Sequence, residues 1–274
     1  MAEVPEVEVL VRDLRQAVVG RRIEAVTLPQ PVAVRFPSPE EYAGLLAGRT
    51  VEDARRWAKH IWLPVGNSPH GDLALEIHLM LWGTLALAPS TQLVVPDTMI
   101  VWRLEGGEEL RLIDKLGYAR SAAGAPEVVI ERLDLASLGP DALEPGFDDA
   151  VLHRRLQGRR GVLKTVLLNQ RVLAGLGNRD ADESMWLAGI DPRRSASSLN
   201  EEEISKLRAA IDQVLRQGLA LRGTQRDLFG RKGEAPHGRF VFERTGRPCP
   251  RCGTPVAGIR IGGRNTHFCP HCQR

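Results

Sequence analysis

Four cysteines near the C-terminus constrain the fold of this chain more than any other feature. They are Cys249, Cys252, Cys269 and Cys272, and the sequence contains no other cysteine. Two C-x2-C pairs separated by sixteen residues are typical of a structural zinc site with four thiolate ligands. Because four protein ligands leave no position for a substrate, we expect this single zinc ion to stabilise a fold and not to carry out chemistry.

The segment between the two cysteine pairs predicts a two-stranded hairpin. Apolar and polar residues alternate through residues 256–268 on either side of Gly262 and Gly263, a pattern typical of paired strands joined by a tight turn. Two disulfides in a secreted protein are the alternative. We disfavour them because no secretory signal is recognisable and no other part of the chain reads as cross-linked.

Charge is distributed unevenly along the chain. Residues 151–274 contain 23 Lys and Arg against 11 Asp and Glu, whereas residues 1–150 contain 14 against 23. Such a basic half suggests a polyanionic partner, and a merely solvated basic surface is the alternative. No apolar run approaches the length of a membrane span, so we expect no membrane partner.

The first half of the chain predicts a helix followed by a β-sandwich or barrel. Apolar spacing in residues 9–18 fits an amphipathic helix, with Pro5 in its first turn and Gly20 at its end. Short β-type runs separated by turn residues follow; they are residues 22–28, 60–64, 74–78, 84–88, 99–104 and 109–113. We interpret Trp57 and Trp82 as core or strand-packing residues rather than residues that stack on bases, and His78 as a hydrogen-bonded strand histidine rather than a ligand or a base.

The second half predicts helices, which we place at residues 149–157, 161–169, 179–187 and 200–218, with Asn200 as the N-cap of the last. Residues 223–238 lack periodicity and predict a mobile loop. The chain thus divides into an N-terminal domain (1–135), a linker (136–150), a helical domain (151–225) and a loop with the zinc hairpin (226–274).

Several motifs, taken together, resemble the formamidopyrimidine-DNA glycosylase/endonuclease VIII family of base-excision repair enzymes, in its bacterial zinc-finger form. The matching segments run nearly from end to end; they are residues 138–143, 163–170, 174–178, 181–183 and 188–192 and the four-cysteine tail. The resemblance implies an α+β multidomain fold. Its parts are an N-terminal β-sandwich that begins with a helix, a helix-two-turns-helix module and a C-terminal four-cysteine zinc β-hairpin.

The resemblance also implies a function and the residues that perform it. It implies a DNA glycosylase with abasic-site lyase activity, which removes oxidised or ring-opened bases through a Schiff base on the amine exposed when Met1 is removed. In that scheme Ala2 is the nucleophile, Glu3 the acid and base at the sugar, and Lys59 the residue that assists elimination. Lys164, Asn178 and Arg264 match the positions that contact the flanking phosphates.

Physical chemistry agrees with an α-amine as nucleophile. Its pKa is near 8, so roughly a tenth is unprotonated at neutral pH, whereas a lysine amine would need a large shift. The implied partner is damaged double-stranded DNA, bound by a monomer in the bacterial cytoplasm at the nucleoid.

Four segments of the chain depart from the family pattern. Ala2 replaces proline, and Leu81 replaces methionine in the H-L-x-M-x-G motif that inserts into DNA. In the loop that ends at Gly117, Lys115 and Leu116 replace Arg and Phe, or two residues are deleted. Losing the Phe should weaken stacking on the orphan base. Finally, Arg179-Asp180 replaces Ile-Tyr, which removes a tyrosine near the active site.

Three functions remain open at this point. The first is the glycosylase and lyase described above, and the second is a paralogue that binds damaged or abasic DNA without cutting it. The third, a zinc-ribbon transcription or translation factor, is disfavoured because it gives Glu3, Lys59 and Lys164 no role. Arg231-Lys232 lies either in a lesion-capping loop or in a flexible solvated turn.

Overall fold

The chain forms two units in the structure, a computed structural model that describes residues 2–67, 73–235 and 239–274. The first unit comprises the described residues up to Ala136 together with Arg222–Gly233. The second comprises the described residues of Ser137–Leu221 and Glu234–Arg274. Met1, whose removal the sequence analysis invokes, and residues 236–238 of the predicted loop lie outside the described residues.

The first unit is a helix followed by two packed β-sheets, as predicted. Its elements are α1 (Val4–Ala17), β1 (Ile23–Thr27), β2 (Val34–Phe36), α2 (Pro39–Leu46), β3 (Thr50–Val51), β4 (Arg55–Trp57), β5 (His60–Gly66), β6 (Leu73–His78), β7 (Thr84–Pro89), β8 (Thr98–Leu104), β9 (Glu108–Ile113), β10 (Arg120–Gly124) and α3 (Pro126–Arg132). One sheet has the order β1-β8-β9-β7, and the other has the order β2-β10-β6-β5-β3, with β4 paired to β5. All six predicted strands are confirmed, and β2, β3, β4 and β10 are additional.

Helix α1 contributes one apolar face to the core between these sheets. Val7, Leu10, Val11 and Leu14 recur at helical spacing, and all four are buried in one cluster with residues of both sheets, including Trp102. Burying each of these side chains contributes about 1.5–3 kcal/mol to the free energy of unfolding. The helix is therefore fixed to the sandwich by packing rather than by its own propensity.

The segment Arg222–Gly233 belongs to the first unit, although it follows the last helix of the second unit in sequence. Leu228 is fully buried in the first core, and its carbonyl accepts a hydrogen bond from the Leu87 amide at 3.0 Å. Both carboxylate oxygens of Asp13 accept from Arg222 Nη2 at 3.0 Å. This segment, which apart from Arg222 the sequence predicted to be a mobile loop, is thus attached to the first unit by the Arg222–Asp13 ion pair and by the buried Leu228 side chain.

The second unit contains the predicted helices and the predicted hairpin. Its elements are α4 (Asp149–Leu156), α5 (Leu163–Leu168), α6 (Asn178–Ala188), α7 (Glu201–Ala220), β11 (Ala257–Ile261) and β12 (Arg264–Phe268). Asn200 caps α7 as predicted: its side chain accepts from the Glu203 amide at 2.9 Å, and Glu203 accepts from the Asn200 amide at 3.0 Å. Within the described residues, no helix has the length and apolarity needed to cross a membrane.

The anchoring of Arg222–Gly233 predicts a stability effect. Leu228→Ala should lower the free energy of unfolding by about 2–5 kcal/mol, because it leaves a cavity in the first core. Urea denaturation of the full chain measures the change. Leu93→Ala is the matched control, since Leu93 is 89% exposed and its removal should change stability by less than about 0.5 kcal/mol. Equal effects of the two substitutions would contradict the packing described here.

Candidate functional site

The strand register brings several turns to one end of the first unit. His60 begins β5, His78 ends β6 and Arg120 begins β10, and His78 pairs with both of the others. The turn before His60 carries Lys59, and the turn after His78 carries Leu81. These two predicted site residues therefore lie at the same end of their sheet, on turns next to neighbouring strands.

A second connection between the sheets emerges beside them. Thr84, which begins β7, pairs with Ile113, which ends β9. The turns at residues 79–83 and 114–119 therefore lie at the same end of the sheet that contains β7 and β9. An added Cβ at Gly83 would lie 2.8 Å from Cβ of Ala119, which shows that the two turns touch. Lys115 is exposed on the second turn. Lys59, Leu81 and Lys115 thus share one end of this unit.

The turn that carries Lys59 is fixed to helix α1. Arg56 donates from Nη1 to the Ala58 carbonyl at 3.0 Å and from Nε to Glu8 Oε2 at 3.0 Å. The Arg56 and Glu8 side chains are 4% and 16% exposed, so this ion pair is screened less than a surface pair. Ala58 has a φ of 55°, a conformation that an L-residue adopts at some cost. The pair therefore holds the start of α1 beside the Lys59 turn.

The predicted nucleophile and acid lie together at the start of α1. Ala2 and Glu3 are both buried, at 5% and 2% exposure. The Glu3 amide donates to Glu6 Oε2 at 2.9 Å, and the Glu3 side chain accepts from the Glu6 amide, forming a capping box. A carboxylate at this position is favoured by the helix dipole. Glu3 is therefore held in one orientation next to residue 2.

The segment Arg222–Gly233 also reaches this region, which the sequence analysis did not foresee. Glu6 Oε1 accepts from the Thr224 amide at 2.8 Å and from Thr224 Oγ1 at 3.0 Å. Gly223, with φ of 67°, approaches Glu6 so closely that an added Cβ would lie 2.8 Å from Oε1. One carboxylate thus connects the Glu3 cap to this segment. A single sequence carries no signal for such a pairing, because 218 residues separate the partners.

A buried histidine and carboxylate cluster lies under the Lys59 turn. Glu76 is fully buried and its Oε1 is 2.6 Å from His60 Nδ1, while the rings of His60 and His78 lie 4.5 Å apart. Burial, together with the positive charges of His60, Arg35 and Lys59, holds the pKa of His78 well below its usual value. Neutral His78 accepts from the Met80 amide at 3.1 Å, which confirms its prediction as a hydrogen-bonded strand histidine.

Trp82 is placed differently from the prediction. Trp57 contacts Trp62 with ring centroids 5.9 Å apart, in keeping with a packing role. Trp82 is instead 61% exposed, so its interpretation as a core or strand-packing residue was wrong. It occupies the turn next to Leu81, in an unbroken apolar run at residues 79–82 that extends past the end of β6.

In the second unit, Lys164 is completely buried and ion-paired. Its Nζ donates to Asp182 Oδ1 at 2.6 Å and to the Asn265 carbonyl at 2.9 Å. Asp182 Oδ2 accepts from the His267 amide at 2.9 Å and lies 3.0 Å from His267 Nδ1. We expected Lys164 to contact a phosphate directly, but its side chain has no exposed surface. It instead joins α5, α6 and the hairpin.

Asn178 and Arg264 lie next to this buried pair. The Asn178 side chain donates from Nδ2 to the Asn265 carbonyl at 3.1 Å, the same oxygen that accepts from Lys164. Arg264 is exposed at the start of β12, immediately after the glycine turn. The three predicted DNA-binding residues of this unit are thus brought together, with Arg264 on the outside and Lys164 on the inside.

The four cysteines form a site of the size that zinc needs. Their sulfur atoms all lie within 4.8 Å of one another, with Cys249 to Cys272 at 4.0 Å and Cys252 to Cys269 at 3.5 Å. A tetrahedral four-thiolate zinc site requires sulfur separations of roughly 3.8 Å. The residues present therefore fit the metal that their spacing predicts.

The zinc hairpin is attached to helix α6 through Trp186. The Trp186 indole donates to Cys249 Sγ at 3.4 Å and stacks on Phe240, with ring centroids 4.5 Å apart. Although burial raises the pKa of the Cys249 thiol, this bond and two backbone amides lower it below its usual value overall. The guanidinium carbon of Arg251 lies 4.0 Å from the centroid of the Trp186 ring, and Arg251 donates to the carbonyls of Trp186 and Leu187 at 2.8 Å. Arg251 is thus engaged within this unit.

Arg179 and Asp180 form a buried ion pair where the sequence analysis noted a missing tyrosine. Arg179 Nε is 2.7 Å from Asp180 Oδ1, and their side chains are 8% and 3% exposed. On the next turn Glu183 accepts from the amides of Phe240, Val241 and Phe242 at 2.7–2.9 Å. Burial raises the pKa of Glu183 although these hydrogen bonds oppose the shift.

Comparison with known proteins connects these features. Three family models match the chain: the formamidopyrimidine-DNA glycosylase N-terminal domain at residues 1–120, the formamidopyrimidine-DNA glycosylase H2TH domain at 138–229, and the zinc finger found in FPG and IleRS at 246–274. Formamidopyrimidine-DNA glycosylase of Moorella thermoacetica is 42% identical over 95% of both chains, and that of Geobacillus kaustophilus is 37% identical over 100% of both. The chain belongs to the formamidopyrimidine-DNA glycosylase family.

Solved structures of this family agree with the fold. A complex of the Lactococcus lactis enzyme with DNA containing an abasic site superposes with a TM-score of 0.92 at 28% identity, and each chain is fully covered. The present chain is accordingly a DNA glycosylase of base-excision repair that binds DNA and one zinc ion. Abasic-site lyase activity is typical of the family.

The zinc site of this glycosylase predicts a specific metal stoichiometry. Purified protein should contain one zinc ion per chain, and Cys252→Ser should abolish zinc retention because three thiolates leave the coordination incomplete. Metal analysis after gel filtration measures this. His271→Ala is the control: His271 is exposed between two ligands and should not affect zinc content. Zinc lost from the His271 variant would show that the ligand set is not the four cysteines.

The buried Lys164 predicts a stability effect that a phosphate-binding surface lysine would not have. Lys164→Met should lower the free energy of unfolding by about 3–5 kcal/mol, because it leaves the Asp182 carboxylate buried without its partner. Arg264→Ala, at an exposed site, should change it by less than about 0.5 kcal/mol. Urea denaturation compares the two variants, and unchanged stability of Lys164→Met would rule out the structural role.

Proposed function

We propose that this glycosylase excises oxidised or ring-opened bases from duplex DNA and cleaves the resulting abasic site through a Schiff base on the amine of Ala2. The observation that carries the proposal is the start of α1, where Glu3 is held by the capping box directly after Ala2. The Arg56–Glu8 pair keeps this helix beside the turn of Lys59. The Lactococcus lactis structures support the substrate class, since they contain abasic-site, Fapy-dG and oxidised pyrimidine DNA.

The proposed reaction uses each group in turn. The unprotonated amine of Ala2 attacks C1′ of the damaged nucleotide; the bond from C1′ to the base breaks, and the base leaves with that electron pair and takes up the proton that the amine loses. Glu3 donates a proton to the ring oxygen as the bond from C1′ to that oxygen breaks, which leaves a protonated imine between C1′ and the amine. Lys59 then assists elimination of the phosphate. Because Ala2 provides a primary amine, its protonated imine can lose the N–H proton, which the iminium that proline would form does not have.

DNA binding is proposed to rest on Arg264 and Asn178, with Lys164 acting indirectly. Arg264 presents a planar fork suited to a phosphate, and the amides that begin α6 offer further donors to an anion. Lys164 supports this surface by holding the Asn265 carbonyl. Such contacts position the duplex without reading its sequence. We further propose that the enzyme acts as a monomer in the bacterial cytoplasm.

Trapping tests the proposed nucleophile. Intact-mass measurement should show that Met1 is absent, and borohydride should link the protein covalently to abasic-site DNA through Ala2. Ala2→Pro should also be trapped, since it retains an N-terminal amine, whereas Glu3→Gln should lose base excision by about 10²-fold or more because the proton donor is gone. Retained Met1 with no trapped adduct would overturn the enzymatic mechanism.

The alternative is a paralogue that binds damaged or abasic DNA without cutting it. Two observations favour it: Ala2 replaces the family proline, and the Arg179–Asp180 ion pair occupies the site of the missing tyrosine. Tight binding to abasic duplex without trapping would support this alternative. In either case Arg264→Ala should reduce the salt dependence of binding by about one counterion.

A further inference from the structure

Trp82 is the most exposed aromatic side chain among the residues that the structure describes, at 61%. An indole in water has a large apolar surface that no part of the fold buries, which is uncommon enough to suggest a partner. It follows Leu81 on the turn between β6 and β7, at the end of the unit that also presents Lys59 and Lys115.

The turn that carries Trp82 is closed by two hydrogen bonds and a close backbone approach. The Gly83 amide donates to the Leu79 carbonyl at 2.9 Å, and the Met80 amide donates to His78 at 3.1 Å. An added Cβ at Gly83 would lie 2.4 Å from the Leu79 oxygen, so only glycine fits at this point. The indole is therefore held in the solvent by a closed turn, and ordering it on a ligand costs little entropy.

The adjacent turn presents two more exposed apolar side chains on an equally fixed backbone. Leu116 and Tyr118 are 50% and 48% exposed. The buried Asp114 carboxylate accepts from the amides of Leu116, Tyr118 and Ala119 at 2.8–2.9 Å. Exposed Lys115 supplies a positive charge on the same turn. Aromatic faces beside cations on rigid turns are the combination that proteins use to stack on nucleobases.

We propose that Trp82 stacks on the unpaired base of a damaged duplex, in the gap left by the displaced nucleotide, with Leu116 and Tyr118 next to it. The proposal rests on the proposed binding of damaged duplex and is independent of the Ala2 amine. It assigns the orphan-base contact to a residue for which the sequence analysis favoured core or strand packing over base stacking. An indole offers a larger stacking surface than Leu81, and inserting it between base steps keeps the duplex open.

Binding to a non-cleavable duplex tests this assignment. The probe carries a tetrahydrofuran abasic-site analogue opposite 2-aminopurine, whose fluorescence is quenched by stacking. Trp82→Ala should weaken binding to this probe by about 5- to 140-fold, the loss expected for one stacked base. It should also raise the fluorescence of the bound probe, and Trp82→Phe should restore most of the affinity and the quenching. Affinity for undamaged duplex should change less than about twofold.

Leu93→Ala is the matched control, because Leu93 is exposed in the same unit but lies on a different turn; it should behave as wild type. Unchanged affinity and fluorescence in Trp82→Ala would overturn the proposal. So would an equal loss for damaged and undamaged duplex, which would indicate a general contact with DNA. Borohydride trapping of the same proteins separates this result from the proposed chemistry, since a failed Ala2 nucleophile would abolish trapping and leave the Trp82 effect on binding intact.

Discussion

The Asp182 carboxylate forms the interaction on which the arrangement of α5, α6 and the zinc hairpin depends. It is fully buried, and its two oxygens bind Lys164 from α5 and His267 from β12 while its own backbone belongs to α6. A buried carboxylate is costly without partners, so these three elements can approach only in the arrangement that provides them. The exposed position of Arg264, three residues before His267, follows from that constraint. The zinc ion fixes the far end of the same hairpin.

Buried carboxylates organise the first unit in the same way. Glu6 joins the Glu3 cap to Thr224, Asp13 binds Arg222, and Asp114 gathers three amides of its own turn. Each accepts hydrogen bonds from a segment without regular secondary structure, where backbone amides would otherwise lack partners. The orientation of Glu3 and the turn that carries Leu116 and Tyr118 therefore depend on buried acids.

Sequence reasoning succeeded where local chemistry decides and failed where distant segments meet. Cysteine spacing, strand alternation and the Asn200 cap are local, and the hairpin, six strands and the four helices of the second unit were all predicted. The burial of Lys164 was not, because only the distant Asp182 and Asn265 determine it. The same holds for Thr224 on Glu6. Trp82 was misplaced because a large apolar residue in an apolar run is read as buried, although a turn between two sheets can point such a residue outward.

The excess of acidic over basic residues in residues 1–150 is compatible with DNA binding, because some of the acids are paired inside the fold. Counting residues suggests repulsion from phosphate, since acids exceed bases there by nine. Some of these acids are paired with arginines inside the fold: buried Glu109 with Arg111, and half-buried Glu8 with Arg56. Acids hidden in the fold contribute little field outside it, whereas Lys59 and Lys115 emerge on turns at one end. The charge that a polyanion meets is therefore set by the placement of side chains and not by their number.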